Sequence, residues 1–422
     1  MLKRGWIVTA AGLGLNLALG ILYAWSMFSK QMTEAIDKGG FGWSRTQATL
    51  PYTIAIACFA LMMVPAGRLQ DKLGPRIVAS VGGAMCGLGL IISSFTTAAT
   101  PILPVLGFGL VTGTGLGLGY AASTPAAMKW FPPEKKGLIT GLVVAGFGIA
   151  PVYIAPLSKY LLGEYGIASA FRILGIGFAI GAVAFAQLMV NPEKPLNVAK
   201  PGAAKGNDVH WREMLRRPGF YVLWFEYAFA ATAGLMIIGH LAKIVGAQSG
   251  GSIKAGFIFV ALLAIFNASG RIIAGIVSDR IGRMVTLALV CVFQAINMFF
   301  FAQYQTIAGF IFGAAIVGFS YGACLSLFPA TAADEWGTKN LGLNYGLLFT
   351  AWGVGGVVGP ILAGAIADGT GSYALAYQIA GVLLSCAAVL AMFAYVSVGV
   401  SIPEGQVTIK IGRNVKLEKL SA

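Results

Sequence analysis

Apolar stretches of about 20 residues recur from one end of this chain to the other, and they restrict it to a membrane-spanning architecture. A helix rises 1.5 Å per residue, so about 20 residues cross a hydrocarbon core of about 30 Å, whereas barrel strands need roughly half that number. The 422 residues are 57% hydrophobic and 10% charged, with mean hydropathy +0.80. The pattern predicts an all-α membrane protein with twelve transmembrane helices at approximately 6–28, 46–66, 77–95, 101–127, 138–159, 168–190, 218–243, 253–275, 284–302, 306–331, 342–366 and 372–398. The first stretch is too long for a cleaved signal peptide and no small-residue cleavage site follows it, so it is expected to persist in the mature protein.

A net charge of +14 raises the question of nucleic acid, but the charges are distributed by loop. With the N-terminus placed in the cytoplasm, about 21 of the 29 Lys and Arg residues fall in cytoplasmic segments and about 7 in outer ones. Both termini are therefore expected to be cytoplasmic. Most of the excess comes from the central segment (Lys194, Lys200, Lys205, Arg212, Arg216, Arg217) and the C-terminal tail (Lys410, Arg413, Lys416, Lys419). These read as orientation signals or lipid-headgroup contacts, so no nucleic acid is expected. Cys58, Cys86, Cys291, Cys324 and Cys386 are scattered through the spans without disulfide or metal-ligand spacing and read as packing residues.

The remaining basic residue is Arg271, inside the apolar stretch 257–277. Arginine at membrane depth costs roughly 3 kcal/mol on insertion scales, so it faces a cavity or a partner. Its planar fork matches a carboxylate through two parallel hydrogen bonds, which points to an anionic ligand. Asn267 lies one helical turn earlier on the same face. The competing reading assigns Arg271 to the loop that follows, since it stands four residues before Gly275.

That loop has a counterpart. Gly67-Arg68-Leu69-Gln70-Asp71-Lys72-Leu73-Gly74-Pro75-Arg76 follows the second span, and Gly275-Ile276-Val277-Ser278-Asp279-Arg280-Ile281-Gly282-Arg283 follows the eighth, 208 residues later. Gly141 to Gly148 in the fifth span similarly answers Gly346 to Gly353 in the eleventh. The polar interruption 191–217 separates six spans from six. The expected organisation is an N-terminal six-helix bundle (1–190), a cytoplasmic linker (191–217), a C-terminal bundle (218–398) and a basic tail (399–422). The paired glycines permit tight turns, while Asp71 and Asp279 can meet neighbouring arginines and a helix N-terminus. Arg68, Asp71, Arg76, Asp279, Arg280 and Arg283 are the expected cytoplasmic gate.

With these loops the chain resembles the major facilitator superfamily over essentially its full length. The resemblance implies two parallel six-helix repeats around one central cavity that opens to each side in turn. Gly20-Ile21-Leu22-Tyr23-Ala24-Trp25-Ser26, Gly117-Leu118-Gly119-Tyr120 and the Asn267/Arg271 pair narrow the resemblance to the oxalate/formate antiporter and bacterial monocarboxylate transporter group. That likeness assigns the substrate carboxylate to Arg271. The oxalate exchanger's second cation, on span 11, corresponds here to Trp352, which favours one carboxylate over two. Animal proton-coupled relatives have an aspartate one turn before the arginine, where this chain has Asn267. Arg271, Glu226 and His240 are the proton-coupling candidates, beside the substrate carboxylate itself.

Glu226, the one acid placed well inside a span, either pairs with Arg271, carries a proton or reaches the inner interface. His240, near the outer part of span 7, either hydrogen-bonds a hydroxyl-bearing substrate or packs. Tyr120 and Tyr321 occupy similar repeat positions and are expected to aim their phenols at the cavity, the alternative being an interfacial belt. Tyr23, Phe349 and Trp352 either line the cavity or pack helices. The glycines of spans 4, 5 and 11 suit close helix contact.

These residues lead to an expected secondary active transporter of small monocarboxylates, L-lactate or pyruvate, by proton symport and alternating access in the plasma or bacterial inner membrane. Carboxylate exchange, including oxalate for formate, is the alternative transport reading; a non-transporting carboxylate sensor is the alternative outside transport. No enzyme constellation or cofactor site emerges. The expected partners are a monocarboxylate anion, a proton and the bilayer, with the chain acting as a monomer.

Overall fold

The computed structural model describes residues 2–193, 208–253 and 256–399, apart from the side chains of Tyr23 and a few others. The predicted roles of Lys194, Lys200, Lys205, the basic tail and the Tyr23 side chain lie outside the described residues. The first half contributes Leu2–Leu19 (α1), Arg45–Leu73 (α2), Pro75–Ser93 (α3) and Gly113–Met128 (α4). Among the described residues eleven helical runs are long and apolar enough to cross a membrane, and one of them, Pro133–Gln187, has 55 residues. At 1.5 Å per residue that run would extend about 80 Å, more than twice the hydrocarbon thickness. Gly166, at φ 73° and ψ 177°, breaks it. A residue with a Cβ rarely adopts that conformation. The run therefore divides into α5 (136–165) and α6 (167–187).

The second half contributes Pro218–Ile238 (α7), Gly256–Ile281 (α8), Arg283–Phe300 (α9), Ile307–Trp336 (α10), Leu341–Thr370 (α11) and Ala374–Gly399 (α12). Two expected bounds are corrected. α7 ends at Ile238 rather than 243, which leaves His240 beyond it. The first span is continued by a 3-10 turn, Gly20–Ala24, and a further helix, Trp25–Thr33, and at the start of the turn Gly20 lies so close to Ala150 that a Cβ there would sit 2.0 Å from the alanine methyl.

Local signals set several ends. Ser44 and Gln47 close a capping box at the start of α2. Gly74 (φ 84°) and Gly282 (φ 97°) make the repeat-related turns into α3 and α9. Outer helices are apolar on both faces: α9 buries Leu287, Cys291, Ala295 and Met298 while exposing Leu289, Val292, Phe293 and Ile296. In lipid no polar stripe is needed on the outer face.

Within the first half α3 packs on α6 and on α4; within the second, α9 packs on α12 and α8 on α10. The halves meet where α2 packs on α11 and where α5 packs on α8 and α10. Small residues permit these approaches. A Cβ on Gly346 would lie 2.4 Å from the Met63 carbonyl oxygen, and one on Gly141 would lie 2.2 Å from that of Arg271.

Candidate substrate site between the two halves

Arg271 projects from α8 into the contact between the halves and is 0% exposed. Its Nε donates to Asn267 Oδ1 at 2.8 Å, and its Nη1 donates to the Val144 carbonyl of α5. The i,i+4 spacing supplies the first bond within α8. The second is permitted by Gly148, where a Cβ would stand 2.9 Å from Nε and 3.2 Å from Asn267 Oδ1. The third nitrogen, Nη2, is buried and has no hydrogen-bond partner. Among the described residues no carboxylate pairs with this guanidinium.

Aromatic rings from both halves meet beside it. Phe349 of α11 is stacked on Trp352 at 4.8 Å and lies 5.4 Å from Phe59 of α2 and 5.6 Å from Tyr120 of α4, measured between centroids. Phe147 of α5 is 5.6 Å from Tyr120. Trp352 Nε1 donates to the Tyr321 hydroxyl at 2.7 Å. Tyr227 of α7, stacked at 4.0 Å on Phe328, and Tyr345 of α11 complete the cluster. All of these side chains are buried. The arrangement joins one incompletely paired cation to apolar walls and several phenols, which suits a small anion with an apolar part.

Of the sequence candidates, Arg271, Asn267, Tyr120, Tyr321, Phe349 and Trp352 come together here. His240 does not. It lies past the end of α7, its Nδ1 3.3 Å from the Met236 carbonyl and its ring 5.5 Å from that of Tyr373. Burial holds its imidazole below the ordinary value and Lys243 adds to this, against the opposing pull of the Met236 carbonyl and Asp368. Glu226 is fully buried within α7 beside Cys324, with neither carboxyl oxygen hydrogen-bonded and no ion pair to Arg271.

Sequence reasoning missed the Val144 carbonyl, Phe59, Phe147, Tyr227 and Tyr345, and it read Gly148 as a close helix contact without naming Arg271 as what it meets. A signal existed for Phe147 alone: it occupies the repeat position of Trp352, inside a segment whose counterpart is identifiable.

The two repeat loops lie at one end of the molecule. Asp279 Oδ1 and Oδ2 each accept at 2.9 Å, from Gly137 N–H and Leu138 N–H of α5, and Oδ1 is 2.6 Å from Arg283 Nη2. Arg283 Nε reaches Asp334 at 2.9 Å, and Asp334 reaches Lys136 Nζ at 2.9 Å. Asp71 Oδ2 accepts from Leu343 N–H of α11 at 3.2 Å. Neither α5 nor α11 has a local side-chain cap, so each carboxylate caps a helix of the opposite half. Arg68, Arg76 and Arg280 are exposed and, among the described residues, form no ion pair. Lys136 and Asp334 were not foreseen from sequence.

The fold and the buried, half-paired arginine define a polytopic membrane transporter. The profile of the Major Facilitator Superfamily matches residues 6–356, and the chain belongs to that superfamily. It is 28% identical over 396 residues to the oxalate:formate antiporter of Oxalobacter formigenes, covering 93% of this chain and 91% of that one. It is 25% identical over 383 residues to monocarboxylate transporter 13 of Rattus norvegicus, covering 90% and 86%. Among solved structures, the transporter FucP in the outward conformation superposes with a TM-score of 0.69 at 14% identity, covering 93% of this chain and 99% of that one. The proton:xylose symporter XylE bound to 6-bromo-6-deoxy-D-glucose gives 0.72 at 14% identity, covering 92% and 95%.

Proposed function

We propose that this chain carries small monocarboxylates, with L-lactate and pyruvate as substrates, by proton symport and alternating access. The observation that carries the reading is Arg271 Nη2, a buried charged donor without a partner between the two halves. A carboxylate there would complete the guanidinium's hydrogen bonding and neutralise a charge that is costly at membrane depth. The rat relative is named a monocarboxylate transporter, which supports the substrate class. In this reading residues 1–190 and 218–398 are the rocking bundles, 191–217 is their linker, and 399–422 is a tail. Both termini and the two repeat loops face the cytoplasm.

Proton coupling is assigned to the substrate carboxylate: protonation weakens its pair with Arg271 and permits release. Glu226→Gln and His240→Gln should therefore retain gradient-driven uptake; loss of proton dependence in either variant would move the proton to that side chain. Carboxylate exchange is the second reading, favoured by the Oxalobacter formigenes relative's name.

The deciding experiment is labelled L-lactate uptake into proteoliposomes, with and without an inward proton gradient, with pyruvate, formate and oxalate as competitors. Accumulation that follows the gradient and is insensitive to oxalate supports symport. Uptake that requires internal carboxylate and ignores the gradient establishes exchange instead. Arg271→Gln should reduce uptake at least a hundredfold while the protein still inserts; wild-type uptake by that variant would remove Arg271 from the site.

A further inference from the structure

Two buried phenols in the aromatic cluster have no task in holding the carboxylate. Tyr227 and Tyr345 come from adjacent helices, α7 and α11, and their rings are fixed by packing, Tyr227 against Phe328 at 4.0 Å and Tyr345 against Phe349 at 5.7 Å. They are 1% and 3% exposed. The Tyr227 and Tyr345 hydroxyls face each other, and that of Tyr345 also faces Tyr120, but neither is placed to complete a hydrogen bond. Tyr345 nevertheless stands beside Tyr227 and Tyr120 and within the electrostatic reach of Arg271. Packing thus holds two unsatisfied hydroxyls in place near a cation that is itself one partner short.

A phenol both donates and accepts, so it bonds equally to an alcohol and to a ketone oxygen. Purely apolar walls would accept an unsubstituted acid as readily as an oxygenated one. A site built around hydrogen-bonding groups rejects an analogue that leaves them unpaired, because the buried polar atoms then remain unsatisfied.

We propose that Tyr345 and Tyr227 form a second polar pole of the site, one that reads the oxygen substituent next to the carboxylate and selects 2-hydroxy and 2-oxo acids over unsubstituted acids of equal length. The proposal rests on the reading of Arg271 as the carboxylate anchor. The acid's carboxylate takes Nη2, its neighbouring oxygen meets the two phenols, and its alkyl end faces Phe59, Phe147 and Phe349.

The test compares L-lactate with propionate, which differs by the hydroxyl alone, in proteoliposomes of wild type, Tyr345→Phe and Tyr227→Phe. Wild type is expected to prefer lactate at least tenfold in kcat/KM. Each phenylalanine variant should lower that preference about tenfold, lactate losing more than propionate. Thermal stability in detergent without substrate should stay equal or rise, since each change deletes an unpaired buried hydroxyl; a structural role would lower it. A lactate-to-propionate ratio within twofold of wild type in both active variants overturns the proposal and leaves the Arg271 site standing. Wild-type protein that transports both acids equally overturns it without recourse to any variant. Failure of wild type to transport either acid would defeat the monocarboxylate reading itself, and this proposal with it.

Discussion

The two repeat loops use the same backbone and different charges. In each, the first glycine presses on a helix start of the other half: a Cβ on Gly67 would lie 2.0 Å from the Gly342 carbonyl oxygen, and one on Gly275 would lie 2.3 Å from that of Gly137. In each, an aspartate caps that helix. Beyond this the copies diverge. Asp279 joins a chain through Arg283 and Asp334 that crosses to the other half at Lys136, beside the two N–H bonds by which Asp279 itself reaches α5. Asp71 accepts one backbone N–H, its Oδ1 has no hydrogen bond, and Gln70 beside it has none either. Two positions differ: Pro75 stands where the repeat places Arg283, starting α3 without a side chain that can reach back, and Leu341 stands where the repeat places Lys136. Lys129 supplies the nearby positive charge instead. Burial holds its ammonium below the ordinary value, opposed by Asp71 and Asp208. The lesson is that backbone complementarity survived in both copies while the ionic reinforcement was kept in one.

This contrast can be broken by experiment. The readout is the rate at which a membrane-impermeant maleimide, applied from the end where the two repeat loops and their partners form a latch between the halves, modifies Thr140→Cys in a background without the five native cysteines. Asp279→Asn should have the largest effect, about 3 kcal/mol against the closed latch or roughly a hundredfold faster labelling, since it strips charge from a nearly buried pair. Gly67→Ala and Gly275→Ala should each cost about 2 kcal/mol by overpacking, and equally so. Unequal rates would show that the backbone contacts differ as much as the charges. Asp71→Asn should cost about 1 kcal/mol, the worth of one cap. Pro75→Arg should slow labelling slightly, by about 0.5 kcal/mol, if the missing guanidinium explains the difference; faster labelling would assign it to helix geometry.

Much of this was legible because charge and glycine stand out in an apolar sequence. Arg271 announced itself by interrupting a span, and Asn267 followed from helical spacing; the structure joins them at 2.8 Å. The repeat loops were legible through their glycines and aspartates. Tyr227, Tyr345, Phe59 and Phe147 were not. In lipid an aromatic residue looks alike whether it faces tails, a neighbouring helix or a cavity, so hydropathy carries no record of helix rotation. Lys136 and Asp334 were hidden by distance, since 198 residues separate two side chains that meet at 2.9 Å. The α5–α6 boundary, by contrast, was legible: Gly166 falls in the gap that hydropathy leaves between 159 and 168.

Arg271 bonds to its own half through Asn267 and to the opposite half through the Val144 carbonyl. In the function proposed above, the same cationic head is both adhesive between the halves and receptor for the cargo. An arriving anion that draws the guanidinium toward itself loosens a seam at the moment of capture, while an empty carrier keeps that seam tied. Occupancy and the freedom of the halves to part thus become one variable, and leak without cargo is opposed by the residue that recognises it.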